Sequence, residues 1–404
     1  MDISFILLVS GLLMGLYVAW NIGANDVANS MASAVGAKAI TYKQAIVIAS
    51  ILTMVGATFI GSHVTDTIRK GIVDPTFIKD PQIAIIGFIS ALFAAGVWIT
   101  FATWKSWPIS TTHSIVGALI GFGLICGGVD AVNWPKLGGV ALSWVTSPIL
   151  SGVMAFLIFK FLVKFIFKAK SRKRAAIIIS PFIITITVTI ILVSLMFRTS
   201  LGVMLQGKFF IVVLVAIVAI LLFWFWIRRF TQKVGKVESI FRRLQIMTSG
   251  YMALSNGAND VANAIGPVAA IYSIIKTGAI GSKVEVPIWL LAIGGIGISL
   301  GISTWGHKVM ETIGKKITKL SNTRGFTIDF AAATSVLLAS KLGMPVSTTH
   351  AVVGAVVGIG LAKGLDTLDL GLLKKIVYSW FLTVPVTALL TIPVYLGLMR
   401  LFKP

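Results

Sequence analysis

Two carboxylates stand where carboxylates are costly. Asp26 lies in Gly23-Ala24-Asn25-Asp26-Val27-Ala28-Asn29, and Asp260 lies in Gly257-Ala258-Asn259-Asp260-Val261-Ala262-Asn263, the same seven letters set among apolar stretches. An ionisable group in such surroundings is functional by default. On a helix Asp26 and Asn29 share one face, as do Asp260 and Asn263, and Asn25 joins that face four positions before Asn29. Carboxylate and amide oxygens are hard ligands that suit an alkali cation and offer little to zinc, which takes His or Cys. Asp26, Asn29, Asp260 and Asn263 are therefore the candidate cation ligands. Glycine and the Asn-Asp pair also disfavour continuous helix, so each copy is expected to break the helix that carries it.

A second duplicated segment carries the complementary chemistry. Pro108-Ile109-Ser110-Thr111-Thr112-His113 recurs as Pro345-Val346-Ser347-Thr348-Thr349-His350. Proline disfavours helix at the residue before it, and Ser110 is placed to cap a helix that starts at Thr111. The first N–H groups of such a helix lack internal acceptors and sit at the positive end of its dipole, which makes an anion site. Ser110, Thr111 and Thr112 add donors without fixed charge, and Ser347, Thr348 and Thr349 repeat the arrangement. A carrier must release its cargo, and neutral donors suit that better than an arginine clamp. Two carboxylates beside an oxyanion would repel it in a low-dielectric interior unless cations intervene or the carboxyls are protonated. Cation coupling follows as a physical requirement, with cation and anion binding cooperatively.

The elements that position these residues are membrane spans. The chain is 57% hydrophobic and 12% charged, with a mean hydropathy of +0.96. That composition fits an all-α polytopic membrane protein and excludes a soluble core. Apolar segments fall near 1–36, 44–61, 82–103, 108–129, 137–167, 175–196, 209–227, 244–275, 286–306, 326–343, 345–364 and 373–400, about twelve spans, with no cleavable leader before the first. The net charge of +22 is concentrated beside spans: Lys160 to Arg174 holds seven basic residues, and Arg228 to Arg243 holds six with one Glu. This is the positive-inside signal, with anionic lipid as a further attraction, and it requires no nucleic acid. The single Cys126 excludes an internal disulfide.

The duplications arrange the chain as a first repeat over 1–167, a central hairpin over 168–243 with cytoplasmic basic ends, and a second repeat over 244–404. A third, weaker echo pairs Gly61, Val64, Asp66, Thr67 and Ile68 with Gly306, Val309, Glu311, Thr312 and Ile313. The repeats start seven spans apart, and an odd separation inverts the second relative to the first. Loop charge agrees. Residues 62–81 balance Arg69, Lys70 and Lys79 against Asp66, Asp74 and Asp80, whereas 307–324 set Lys308, Lys315, Lys316, Lys319 and Arg324 against Glu311. The second loop is thus inside, the first outside, and both termini outside. Inverted repeats with broken helices at the midplane are a common way to build a transporter site.

With GANDVAN in both halves, each followed by P-x-S-T-T-H, nearly the whole chain resembles the PiT family of inorganic phosphate transporters. The resemblance implies symport of inorganic phosphate in a cell membrane, here of prokaryotic inner-membrane type, driven by sodium in many members and by protons in others. It implies sodium at Asp26, Asn29, Asp260 and Asn263, and phosphate at Asn25, Asn259, Ser110 to Thr112 and Ser347 to Thr349. It also implies elevator-type homodimers, no cofactor beyond the coupling ions, and no enzymatic activity. The link between the halves is short where some relatives carry a large soluble loop.

Other residues admit plainer readings. His113 and His350, at the third helical position, either brace their turns or serve the substrate or a coupled proton. His63 and His307 are interfacial, and Lys105 and Lys341 are anchors near the two prolines. Asp329 has no repeat partner and is either a third cation ligand or a lysine's partner. The glycine runs at 117–128 and 294–301 permit close helix packing. Against phosphate stands another tetrahedral anion such as sulfate, which lacks a proton to donate to an Asp near neutral pH. Two buried Asp would also suit an intramembrane aspartyl hydrolase, but that dyad has no use for the hydroxyl cradles. A passive channel would ignore the ion gradient.

Overall fold

The computed structural model describes residues 3–78, 80–196, 236–280, 285–310, 321–364 and 368–402, with scattered positions between 210 and 229. In chain order the helices of the first part are α1 (Ile3–Gly36), α2 (Tyr42–Ile60), α3 (Ser62–Gly71), α4 (Pro81–Trp104), α5 (Thr111–Gly127), α6 (Trp134–Leu162) and α7 (Arg172–Met196). Then come α8 (Val237–Thr277), α9 (Ile288–Trp305), α10 (Asn322–Lys341), α11 (Thr348–Lys363) and α12 (Leu370–Leu401). Seven of the described helices, α1, α2, α4, α6, α7, α9 and α12, are long and apolar enough to cross a bilayer. The span predicted near 209–227 lies largely outside the described residues, and every other predicted span has its helix.

Local chemistry sets the starts. Thr41 and Gln44 form a reciprocal capping box on α2, the Thr41 hydroxyl accepting the Gln44 N–H and the Gln44 amide accepting that of Thr41. Asp80 caps α4 ahead of Pro81, whose missing N–H costs nothing in a first turn. Gly278 closes α8 in the left-handed conformation, at φ 69°.

Two expectations are corrected. The GANDVAN segments do not break their helices: α1 runs unbroken for 34 residues and α8 for 41. The discontinuities fall instead at the second motifs, where α5 and α11 begin. At 17 and 16 residues these two helices reach only about 25 Å, short of the roughly 30 Å apolar thickness of a bilayer. The reason for the unbroken helices lies in tertiary contacts. The motif glycines sit where two helices touch backbone to backbone: a Cβ on Gly23 would collide with the carbonyl of Ile298 on α9, and one on Gly257 with that of Thr53 on α2. The Asn side chains find partners on other helices and so do not compete for the backbone of their own.

Packing is mirrored throughout. α1 lies against α9 as α8 lies against α2, α5 against α12 as α11 against α6, and α4 against α12 as α10 against α6. Helices α1 and α8 also pack on each other. Helices of each half thus pack on those of the other as well as on their own, in exchanged pairs of the kind a pseudo-two-fold axis gives.

Candidate functional site

The site is assembled at the buried starts of α5 and α11. Ser110 Oγ accepts the His113 N–H at 3.2 Å and Ser347 Oγ accepts the His350 N–H at 3.2 Å, so both serines are the predicted caps. The remaining first-turn N–H groups have no intrahelical acceptor. Across the axis the two starts are stitched together: Thr112 Oγ1 donates to the Val346 carbonyl and Thr349 Oγ1 to the Ile109 carbonyl, each at 3.0 Å. These are equivalent residues exchanging equivalent bonds.

Behind them the His113 and His350 rings meet edge to face, with centroids 4.6 Å apart. His113 Nδ1 lies 3.3 Å from the Trp380 carbonyl and His350 Nδ1 3.0 Å from that of Trp144. A carbonyl only accepts, so Nδ1 carries the hydrogen in both rings. The His113 ring also lies 3.7 Å from the Trp144 ring, and His350 stacks at 3.5 Å on Trp380. Both histidines brace their turns against the neighbouring helices through these contacts. Trp144 and Trp380 were missed in the sequence, although each follows a serine, Ser143 and Ser379, and so forms a further echo between the repeats.

The duplicated Asp-Asn pairs close the site from the side of α1 and α8. Asp26 accepts from Thr111 Oγ1 at 2.6 Å and from Asn29 Nδ2 at 3.2 Å. Asp260 accepts from Asn259 Nδ2 at 2.8 Å and, more weakly, from Thr348 Oγ1 at 3.4 Å. The second Asn of each motif reaches the opposite cradle. Asn29 Nδ2 donates to Thr348 and Thr349 at 3.1 and 3.0 Å, and Asn263 Nδ2 to Thr111 and Thr112 at 3.5 and 3.1 Å. Asn263 Oδ1 is buried without a hydrogen-bond partner, as a cation ligand's oxygen would be.

Asn25 and Asn259 differ. Asn25 Nδ2 donates to Thr103 Oγ1 and the Trp107 carbonyl on the α4–α5 connection. Asn259 instead clasps Val346, donating to its carbonyl at 2.7 Å and accepting its N–H at 3.2 Å. The structure thus brings all twelve predicted residues together, and none is more than 3% exposed. A site this closed admits nothing without movement.

The remaining candidates lie apart. Asp329, 1% exposed on α10, accepts from Ser33 Oγ at 2.7 Å and from Ser249 Oγ at 2.5 Å. Its carboxylate is met by hydroxyls. Lys105 follows α4, with Nζ 4.2 Å from the Trp104 ring centroid. With Trp98, Trp107, Pro108, Lys375 and Tyr378 it lines a 440 Å³ cavity beside the first cradle. The second cradle's tip is covered by α3, where Thr67 Oγ1 donates to the Gly343 carbonyl at 2.7 Å. Lys341 closes α10, and His63 lies on α3.

Comparison with known proteins agrees with this geometry. Residues 22–391 match the model of the phosphate transporter family. A putative phosphate permease of Thermococcus kodakarensis is 51% identical over 94% of this chain and 95% of its own. The chloroplastic inorganic phosphate transporter 2-1 of Arabidopsis thaliana is 40% identical over 94% of this chain and 70% of its own. Among solved structures, one described as the sodium-dependent phosphate transporter superposes with a TM-score of 0.90 at 45% identity, covering 98% of this chain and 99% of that one. The buried hydroxyl cradles, the duplicated carboxylates and these likenesses lead to one conclusion: this multi-pass membrane protein belongs to the phosphate transporter family.

Proposed function

We propose that the protein imports inorganic phosphate by symport with sodium ions, the substrate binding at the midplane where the two inverted repeats meet. The observation that carries this reading is the convergence of two buried carboxylates on two facing helix starts. Phosphate held at the first turns of α5 and α11 stands beside Asp26 and Asp260, and like charges in a water-poor interior need a cation between them. Asp26, Asn29, Asp260 and Asn263 hold sodium. Asn25, Asn259, Ser110 to Thr112 and Ser347 to Thr349 surround phosphate, with the threonine hydroxyls turning from their present acceptors to the anion. Residues 1–167 and 244–404 are the inverted repeats, 168–243 the central hairpin, and both termini lie outside the cell membrane.

Purified protein in liposomes should take up labelled phosphate under an inward sodium gradient. A proton gradient that replaces sodium at equal rate would instead assign the coupling to protons. Sulfate at equal concentration should leave uptake unchanged, and strong competition would make the substrate oxyanions in general.

A further inference from the structure

Among α1, α2, α8 and α9, lined by neither Val346 nor Ile109, lies a cavity of about 10 Å³, room for a single water-sized occupant. Asp26 and Asp260 both line it, together with Ser30, Thr53 and Asn256. None of these last three belongs to a duplicated motif. All are buried, Asn256 at 4% exposed, Thr53 at 4% and Ser30 at 1%.

Each of them already donates a hydrogen bond to a backbone carbonyl. Ser30 Oγ donates to the Val27 carbonyl at 3.2 Å, Thr53 Oγ1 to the Ala253 carbonyl at 3.1 Å, and Asn256 Nδ2 to the Asp26 carbonyl at 3.3 Å. A hydroxyl that has spent its hydrogen on a carbonyl keeps only lone pairs, and an amide anchored through its nitrogen keeps its oxygen free to accept. Asn256 Oδ1 is correspondingly buried without a hydrogen-bond partner. Two carboxylates and three neutral oxygens that can only accept make a ligand set for a hard cation and a poor one for an anion.

Pseudo-symmetry sharpens the point. Asn256 and Ile22 each precede a motif glycine, Ser30 and Ala264 each follow a motif, and Thr53 and Ile298 each supply the carbonyl that a motif glycine packs against. Ile22 and Ile298 line the same cavity. Three positions, Ser30 and Thr53 from the first half and Asn256 from the second, are thus polar where their counterparts are apolar, so this ligand set has no mirror image.

We infer that Ser30, Thr53 and Asn256 complete a sodium site with Asp26 and Asp260, and that these three residues set the affinity for the coupling ion; this rests on the sodium-coupled reading above. Sodium in the cavity, shared by the two carboxylates, offsets part of their charge, which lowers the cost of holding phosphate beside them and couples the two binding events.

The test is a sodium titration of labelled phosphate uptake, at saturating phosphate, by the full-length protein in liposomes. Asn256→Leu and Thr53→Val should each raise the half-saturating sodium concentration about tenfold, the loss of one ligand oxygen, while Thr53→Ser restores it. Size-exclusion profiles establish that the variants are folded. Valine matches threonine in volume, so Thr53→Val decides the matter if Asn256→Leu does not fold. A sodium-dependent parent whose folded variants keep the half-saturating concentration within twofold would overturn this site and leave the symport reading standing. A parent indifferent to sodium would overturn the symport reading, and the site with it.

Discussion

The two copies of GANDVAN have the same seven letters and different bonds. In the first, Thr111 grips Asp26 at 2.6 Å and Asn25 reaches to the α4–α5 connection; in the second, Thr348 stands 3.4 Å from Asp260 and Asn259 is locked to the backbone of Val346. The tips they serve differ too, one beside an open cavity and the other under α3. Identical motifs in inverted repeats need not have identical geometry at any one moment. The unequal bonds mark where the two halves differ. The bonds of Thr112 and Thr349 across the axis and of the two cap serines are equal in both halves.

The comparison is open to experiment. The largest effect is expected from Asp26→Asn and Asp260→Asn, each lowering uptake at fixed sodium by about 100-fold or more, the scale of removing one charge from a buried, compensated group. Retention of sodium dependence by either variant would remove that half from the cation site. Next come Gly23→Ala and Gly257→Ala, which push a methyl group into a facing backbone and should cost on the order of 3 kcal/mol, read as a lowered midpoint of thermal aggregation in detergent. Equal losses would confirm that the two crossings are equivalent, and unequal ones would extend the asymmetry to the scaffold.

Smaller and more telling is the pair Thr111→Val and Thr348→Val. A short bond to a carboxylate contributes roughly 1.5–3 kcal/mol, so the first variant should weaken apparent phosphate affinity about tenfold and the second less, by kinetics of uptake. The reverse order would show that the working geometry is the mirror of the one described. Least of all, Trp144→Phe and Trp380→Phe keep an aromatic face beside each histidine and leave the accepting carbonyls in place. Uptake should stay within about threefold of the parent, since only part of a stacking contact worth roughly 0.5–1.5 kcal/mol is lost. A larger loss from one variant alone would locate a further difference between the halves.

Much of this was legible in the residues. The apolar segments named their helices, Pro108 and Ser110 placed the start of α5, and the duplications named the residues that converge. The continuity of α1 and α8 was not legible, because local propensity is a weak prior that tertiary contact overrides. Gly23 reads as a breaker until Ile298 is known to lie against it, and Asn29 competes for its own backbone only until Thr348 and Thr349 offer better. The histidines could be placed on their turns but not against each other. Ser30 and Asn256 flank the motifs without repeating, so the duplications carry no signal of them.

The exchange of helices between the halves has a consequence for biogenesis. Asn29 finds its partner in Thr349, 320 residues further along the chain. At roughly 5–20 residues per second of synthesis, the first motif waits tens of seconds in the membrane before its partner exists. Until then the Asn29 amide lacks its bonds to Thr348 and Thr349, and a chain cut short before α11 never makes them. Such a protein must be held partly assembled as it emerges, so its yield should depend on whatever shelters unpaired polar groups in a nascent membrane chain.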